Sequence, residues 1–356
     1  MQTSGTLPVC LRFPIFSHAN CRNRCEKIGR NAGYQWQRRY HCDCTQDCAL
    51  DLQPDQILDA RLEWNVNSIT QYQFDIQKTG TVGAEVRGID LACIHANDIA
   101  QIKSAWHQHD VLLFRNQQLT DDDLLSFSRH FGALDSPPNQ GAGRKSPAGY
   151  PEVYVVSNVL DDKGEPIGAL GDGEAVWHTD MSYAAMPPDA SMLYSLEIPA
   201  VGGDTSFASM KDTLTRMPRA LIEKIQYFSI KHDGTFDSGG YTRKGMTATN
   251  DPRTSVGAVH PAIIQHPVSG AFALYLGRRR NAYVIGMELA DSEALLDELW
   301  SYVDCSIYQH RWSLGDLVLW DNRTTMHRRD PFDAAARRVM HRTQIKGSSV
   351  PLRAAV

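Results

Sequence analysis

From Phe74 onward the apolar residues of this chain come in short runs, each stopped by glycine, proline, asparagine or aspartate. That texture leaves few ways to build a core, because runs of about four to eight residues suit strands and are too short for stable helices. FDIQKTGTVGAEVRGIDL (74–91) has spaced glycines and short alternations, the pattern of strands joined by tight turns. VLLFR (111–115) is almost wholly apolar and predicts a buried strand. Further strands are expected at 176–183, 190–196, 205–209, 227–232, 258–265, 271–276, 315–322 and 338–346, with a short one near EVYVVS. Helices are expected at 97–110, with Ile99, Ile102 and Trp106 inward, and at 291–303, with Leu295, Leu296, Leu299, Trp300 and Val303 on one side. TDDDLLSFSRHFG (120–132) opens on Thr120 as N-cap with Asp123 three residues on and closes at Gly132, and 209–226 also reads as helical. Many strands with helices early and late predict a mainly β fold with flanking helices, a sandwich or barrel.

The first 68 residues differ. Six of the eight cysteines (Cys10, Cys21, Cys25, Cys42, Cys44, Cys48) lie in the first 50 positions, without sustained periodicity and with basic runs such as Arg38-Arg39. C-x3-C followed by C-x-C-x3-C is not a usual zinc-finger spacing, so a poorly ordered extension over 1–68 is favoured over a structural zinc module, and 69–356 is expected to form one domain. A formal net charge of −5 argues against a nucleic-acid binder, and no run reaches the roughly 20 apolar residues of a membrane span. The opening residues lack a secretory signal's features, so a cytoplasmic protein with a small-molecule partner is expected.

Chemistry enters with VWHTDMSY (176–183). On a strand, His178 and Asp180 would project from one face, permitting imidazole and carboxylate to converge on one ion. Alone, His-x-Asp is better explained by a solvated or hydrogen-bonded pair. WDNRTTMHRRDPFDAAARRVMHRTQ adds His327 shortly after an apolar strand, then Arg338 and Arg342, which would share a strand face. GGDTSFASM places Thr205 at a strand start after a Gly-Gly turn. Two histidines and one carboxylate are the ligand set of mononuclear non-haem Fe(II) oxygenases, and an arginine with a hydroxyl partner suits the remote carboxylate of a dicarboxylate co-substrate.

Between about 74 and 346 the chain resembles the taurine dioxygenase/2,4-dichlorophenoxyacetate dioxygenase family. VGAEVRGIDL, DVLLFRNQQLT, FSRHFG, WHTDMSY, GGDTSFASM, HPVSG, WDNRTTMHR and RRVMHRT carry the likeness, in that order. The resemblance implies a double-stranded β-helix, or jelly roll. It implies Fe(II) held by His178, Asp180 and His327, and 2-oxoglutarate held through its C5 carboxylate by Thr205 and Arg338. With dioxygen as the other co-substrate, 2-oxoglutarate would become succinate and CO2 while a substrate C–H bond is hydroxylated. Asp180 stands where related halogenases lack a carboxylate, so hydroxylation is the expected outcome. Desaturation, cyclisation or oxidative decarboxylation use the same cofactor, and a non-catalytic jelly-roll binding module is the contrasting reading. Family members often self-associate, so a homo-oligomer is expected by resemblance.

Taurine itself fits poorly. The segment FGALDSPP lacks the histidine that sulfonate-binding members place there, and Glu174 replaces an asparagine four residues before the first metal histidine. Arg342 is retained. A small anionic substrate is therefore expected, held by Arg342 and by one arginine of the run Arg278-Arg279-Arg280, with Arg278 the first candidate and Glu174 and Tyr183 nearby. His260 and His266, each before a proline, are expected at strand ends satisfying backbone groups, and His107 and His109 near a helix C-terminus.

Overall fold

The computed structural model describes residues 74–355, apart from 137–145, 171–174, 238, 244 and 250. The cysteine-rich extension, and with it the zinc alternative, lies outside the described residues. The larger sheet orders eight strands as β1 (Asp75–Lys78), β2 (Ala84–Arg87), β3 (Val111–Phe114), β15 (Leu317–Asp321), β7 (Ala190–Glu197), β17 (Val339–Ile345), β4 (Tyr154–Ser157) and β5 (Ala169–Leu170). Only β2·β3 and β4·β5 among these pairs run parallel. A second sheet orders β14 (Ile307–His310), β8 (Thr205–Ser209), β16 (Thr325–Arg329) and β6 (Ala175–His178), all antiparallel. Two three-stranded sheets complete the fold: β10 (Val259–Pro261), β9 (Ser229–Lys231) and β13 (Tyr283–Val284), then β12 (Phe272–Leu274), β11 (Ile263–Gln265) and β18 (Leu352–Arg353).

Every residue of β3 is buried, because its sheet is covered on both faces. Val111 and Leu113 point with Leu193, Val318, Trp320 and Met340 toward Phe207 of the second sheet. Leu112 and Phe114 point the other way, packing with Ile102, Trp106 and Leu124 of α1 (Ala96–His109) and α2 (Asp121–Arg129). A strand buried on both faces reads as a continuous apolar run, which is why alternation was absent from its sequence. The far face of the second sheet, through Ala208 and Met326, meets a third cluster with α3 (Met210–Arg216), α4 (Arg219–Ile225) and α5 (Leu289–Trp300).

The capping signal of α2 is realised: Thr120 Oγ1 accepts the Asp123 amide at 3.2 Å, and Asp123 Oδ2 accepts the Thr120 amide at 2.8 Å. The helical stretch 209–226 is two helices. Pro218 lacks an amide hydrogen and forces Met217 to an extended ψ of 148°, which ends α3. The expected strand 258–265 is likewise two, β10 and β11, and α5 starts two residues earlier than expected, with Val303 on a following 3-10 turn. Strands β13, β14 and β16 had no distinct apolar signal. In β16 one face carries Thr325, His327 and Arg329, so its alternation is of polar residues with a buried destination. Among the described residues no helix is long and apolar enough to cross a membrane.

A candidate metal centre beside an oxyanion pocket

His178 is the last residue of β6, so it and Asp180 do not share a strand face as expected. The backbone leaves the strand there. The Thr179 amide donates to Gly277 O at 2.9 Å, and Met181 takes a positive φ of 48°. Asp180 is brought back by Asn322, whose Oδ1 accepts the Asp180 amide at 2.8 Å and whose Nδ2 donates to Asp180 O at 3.0 Å and Pro188 O at 2.9 Å. His327 does not follow the last apolar strand loosely either; it lies within β16, in register with His178. The two imidazoles stand 4.2 Å apart, and the three side chains offer ligand atoms all within 4.8 Å of one another.

The carboxylate of Asp180 divides its oxygens. Oδ1 faces the Nε2 atoms of His178 and His327, at 3.7 and 3.8 Å. Oδ2 accepts from Ser191 Oγ at 3.1 Å and from Nη2 of Arg342. Burial pushes the Asp180 carboxyl up, but the Arg342 guanidinium and both imidazoles outweigh it and hold the group well below the usual carboxylate range. His327 is held well below the usual imidazole value by burial and by His178, which keeps it neutral with a lone pair to give. His178 Nδ1 lies 2.7 Å from Val176 O, a contact that needs the hydrogen on Nδ1 and leaves Nε2 free as a donor atom. One ionised carboxylate oxygen and two imidazole Nε2 atoms on one side of a void fit a divalent first-row metal with open positions opposite.

The triad lines a cavity that is partly open to solvent. Thr205 and Arg338 both line it. Thr205 opens β8 after Gly202 and Gly203, whose φ values are 79° and 71°. A Cβ on Gly203 would sit 3.3 Å from Arg338 Nε and 3.2 Å from Pro199, so glycine also lets the guanidinium lie against the turn. Trp312 Nε1 donates to Thr205 Oγ1 at 3.0 Å, which leaves the threonine hydrogen free to be donated elsewhere. Arg338 is 2% exposed, and its Nε and Nη2 have no partner among the described residues. Burial, then the neighbouring Arg329, push its guanidinium down to about 9, against the opposing charge of Asp204. Buried guanidinium donors without protein partners suit an anion.

Of the residues expected to meet substrate, Arg342, Tyr183 and Arg278 line the same cavity, and Glu174 lies outside the described residues. The three-arginine run divides. Arg279 turns outward to Glu293 and Asp297, both at 2.7 Å; Arg280 stacks on Phe236; Arg278 alone is buried against the cavity. Arg342 reaches the site but is engaged with Asp180 and Ser191.

His260 behaves as expected, its Nε2 meeting the Ser182 and Ala184 carbonyls at 2.9 and 3.0 Å. His266, directly after β11, does too: its Nδ1 accepts the Ser269 amide at 3.0 Å, and its Nε2 also lies 3.0 Å from the buried Asp321 Oδ2, with His107 Nδ1 3.9 Å from the same oxygen. This second His-His-Asp grouping is already neutralised: Arg323 donates to both oxygens of Asp321, at 2.9 and 2.7 Å. Sequence reasoning passed over Asn322, Ser191, Trp312, Arg243 and Arg329. Asn322 had a legible signal, an Asp-Asn pair ending a strand five residues before the candidate ligand His327, while Arg243 had none.

A family model described as "Taurine catabolism dioxygenase TauD, TfdA family" matches residues 73–344. An (S)-phenoxypropionate/alpha-ketoglutarate-dioxygenase of Delftia acidovorans is 30% identical over 299 residues, 78% of this chain and 96% of that protein. An alpha-ketoglutarate-dependent 2,4-dichlorophenoxyacetate dioxygenase of Cupriavidus pinatubonensis is 31% identical over 277 residues, 73% of this chain and 92% of that one. Among solved structures, AAD-2 in complex with Mn(II) and N-oxalylglycine superposes with a TM-score of 0.65 at 26% identity, over 79% of this chain and all of that one (100%). A putative alpha-ketoglutarate-dependent taurine dioxygenase from Burkholderia xenovorans gives 0.63 at 27%, over 78% and 91%. With the matched segment running through the triad, Thr205 and Arg338, the chain belongs to the TauD, TfdA family of dioxygenases.

Proposed function

We propose that His178, Asp180 and His327 hold Fe(II), that Thr205 and Arg338 hold the C5 carboxylate of 2-oxoglutarate, and that the enzyme hydroxylates a C–H bond of a small anionic organic molecule. As a family member the chain is a 2-oxoglutarate-dependent dioxygenase. One observation carries the residue assignments: a single cavity contains both a converging two-histidine, one-carboxylate set and a fully buried arginine whose donors are unfilled. Iron with 2-oxoglutarate and dioxygen supplies the oxidising power, and 2-oxoglutarate leaves as succinate and CO2.

The chain's own residues bind, orient and exclude water. Asn322 fixes the backbone of Asp180, and Ser191 and Arg342 take its Oδ2 so that Oδ1 faces the histidines. Trp312 orients the Thr205 hydroxyl so that its hydrogen is available to the co-substrate's carboxylate beside Arg338. Trp320, Leu193 and Tyr154 close the walls and keep the reacting centre from bulk water. With this reading go a double-stranded β-helix for the two main sheets, a dioxygenase domain over 69–356, and a cytoplasmic homo-oligomer acting on small molecules; likeness to the solved relatives supports the first.

The test is succinate release from 2-oxoglutarate by Fe(II)-loaded protein under air, compared with Asp180→Ala and Arg338→Gln. Loss in both variants is expected. Equal succinate release from the folded variants rejects the assignment.

A further inference from the structure

One end of the cavity carries more positive charge than the co-substrate needs. Arg278 is nine-tenths buried, and its backbone bridges to His178 while the adjacent Gly277 carbonyl accepts the Thr179 amide. The arginine is thereby fixed beside the metal ligands. Its Nη1 donates to Phe236 O at 2.7 Å, and Arg243 Nε donates to the same oxygen at 3.1 Å. Two guanidiniums thus converge on one neutral carbonyl. Arg278 Nε, buried, has no partner among the described residues. Of the nearby carboxylates, Asp237 also lines the cavity and accepts the Gly239 and Tyr241 amides of its own turn through Oδ1, both at 3.0 Å, while Asp180 is held by Arg342 and Ser191. Arg243 lies over the Tyr183 ring at 4.4 Å, which holds it in place without neutralising it. Arg338, unfilled in the same way, marks the co-substrate's carboxylate. Arg278 marks a second anion.

We propose that Arg278 and Arg243, converging on the Phe236 carbonyl beside His178, form a seat for the substrate's oxyanion. The seat takes a carboxylate, sulfonate or sulfate monoester, two oxygens of which can engage the two guanidiniums. The rest of the ligand is apolar, since Val155, Ala169, Ala175 and Leu193 line the cavity. This rests on the dioxygenase reading above and narrows it: the oxidised C–H lies close to the anionic group, because the seat adjoins a metal ligand.

The test is calorimetric binding to protein loaded with Mn(II) and 2-oxoglutarate, so that no turnover intrudes. The probes are phenylacetate, benzylsulfonate, benzyl sulfate and the neutral phenylacetamide. Wild-type protein should bind at least one acid ten-fold or more tighter than the amide, and the winning acid distinguishes carboxylate from sulfonate or sulfate. Arg278→Gln and Arg243→Gln should each weaken that acid roughly ten- to hundredfold, leave the amide unchanged and leave 2-oxoglutarate affinity within about twofold. Arg243 is half-buried, so its variant carries the test should Arg278→Gln fail to fold. An acid preference that survives both substitutions overturns the seat. So does wild-type protein that binds 2-oxoglutarate but prefers no acid over the amide. Wild-type protein that fails to bind 2-oxoglutarate overturns the dioxygenase assignments first, and the seat with them.

Discussion

Arg338→Met should raise the stability of the free protein while weakening co-substrate binding at least about thirtyfold, an opposition of sign that a structural arginine would not show. Arg338 is 2% exposed, with two nitrogens unpartnered among the described residues and Arg329 beside it. Burial and Arg329 lower its guanidinium to about 9, an unfavourable free energy on the order of a few kcal/mol for holding the charge there. Because the folded value lies below the unfolded one, that penalty is present in full at neutral pH and eases only above about 9. Methionine keeps the stem's volume but loses the remaining polar contacts, so a net gain of about 1–3 kcal/mol is expected, a melting shift of a few degrees. Binding moves the other way. Removing the cation from a buried carboxylate pair costs about 2–5 kcal/mol, roughly thirtyfold to several thousandfold in Kd. Urea unfolding of the metal-free protein and calorimetry with 2-oxoglutarate measure the two arms. A variant less stable than wild type by more than about 1 kcal/mol, with 2-oxoglutarate affinity unchanged, refutes the reasoning.

Asn322→Ala removes three hydrogen bonds around Asp180 and should lower metal affinity about 10- to 100-fold by chelator competition, with stability down by about 3 kcal/mol. Trp312→Phe frees the Thr205 oxygen and should raise the KM for 2-oxoglutarate about fivefold with kcat largely kept, in steady-state succinate assays. His232 is buried, both its nitrogens lack partners among the described residues, and burial and His260 hold it well below the usual imidazole value. The unfolded chain therefore binds a proton below about pH 6.5 that the folded one refuses, so stability falls with acid by about 1.4 kcal/mol per pH unit for this group. His232→Leu should flatten the urea-measured stability profile between pH 6.5 and 5.5 by about 1 kcal/mol, and an unchanged slope counts against a neutral His232.

What the sequence made legible follows from what each element buries. VLLF in β3 and the capped α2 were readable because their signals are local: an apolar run between breakers, and a threonine–aspartate box. β16 was not, because its inward face is threonine, histidine and arginine, buried against a polar cavity that no hydrophobic period reports. The same holds for the site. The candidate ligand set was visible as spacing, but not the means by which its side chains converge, since a strand geometry was assumed and a turn held by Asn322 exists. Arg342 was correctly placed in the cavity by its four-residue offset from Arg338, yet its partner, Asp180, lies 162 residues away in the chain. Arg279 and Arg278 are neighbours in sequence and opposites in environment; only the α5 carboxylates that draw Arg279 outward separate them.

The central claim, one cavity for Fe(II) and 2-oxoglutarate, is tested most directly by anaerobic titration of the purified protein with both, watching the visible charge-transfer band of the iron chelate. His178→Ala is the control, because it removes a donor atom facing Asp180 Oδ1. A band that grows to one equivalent in wild-type protein and is absent from the folded variant is the predicted result. Folded wild-type protein that binds iron and develops no band on adding 2-oxoglutarate contradicts the account.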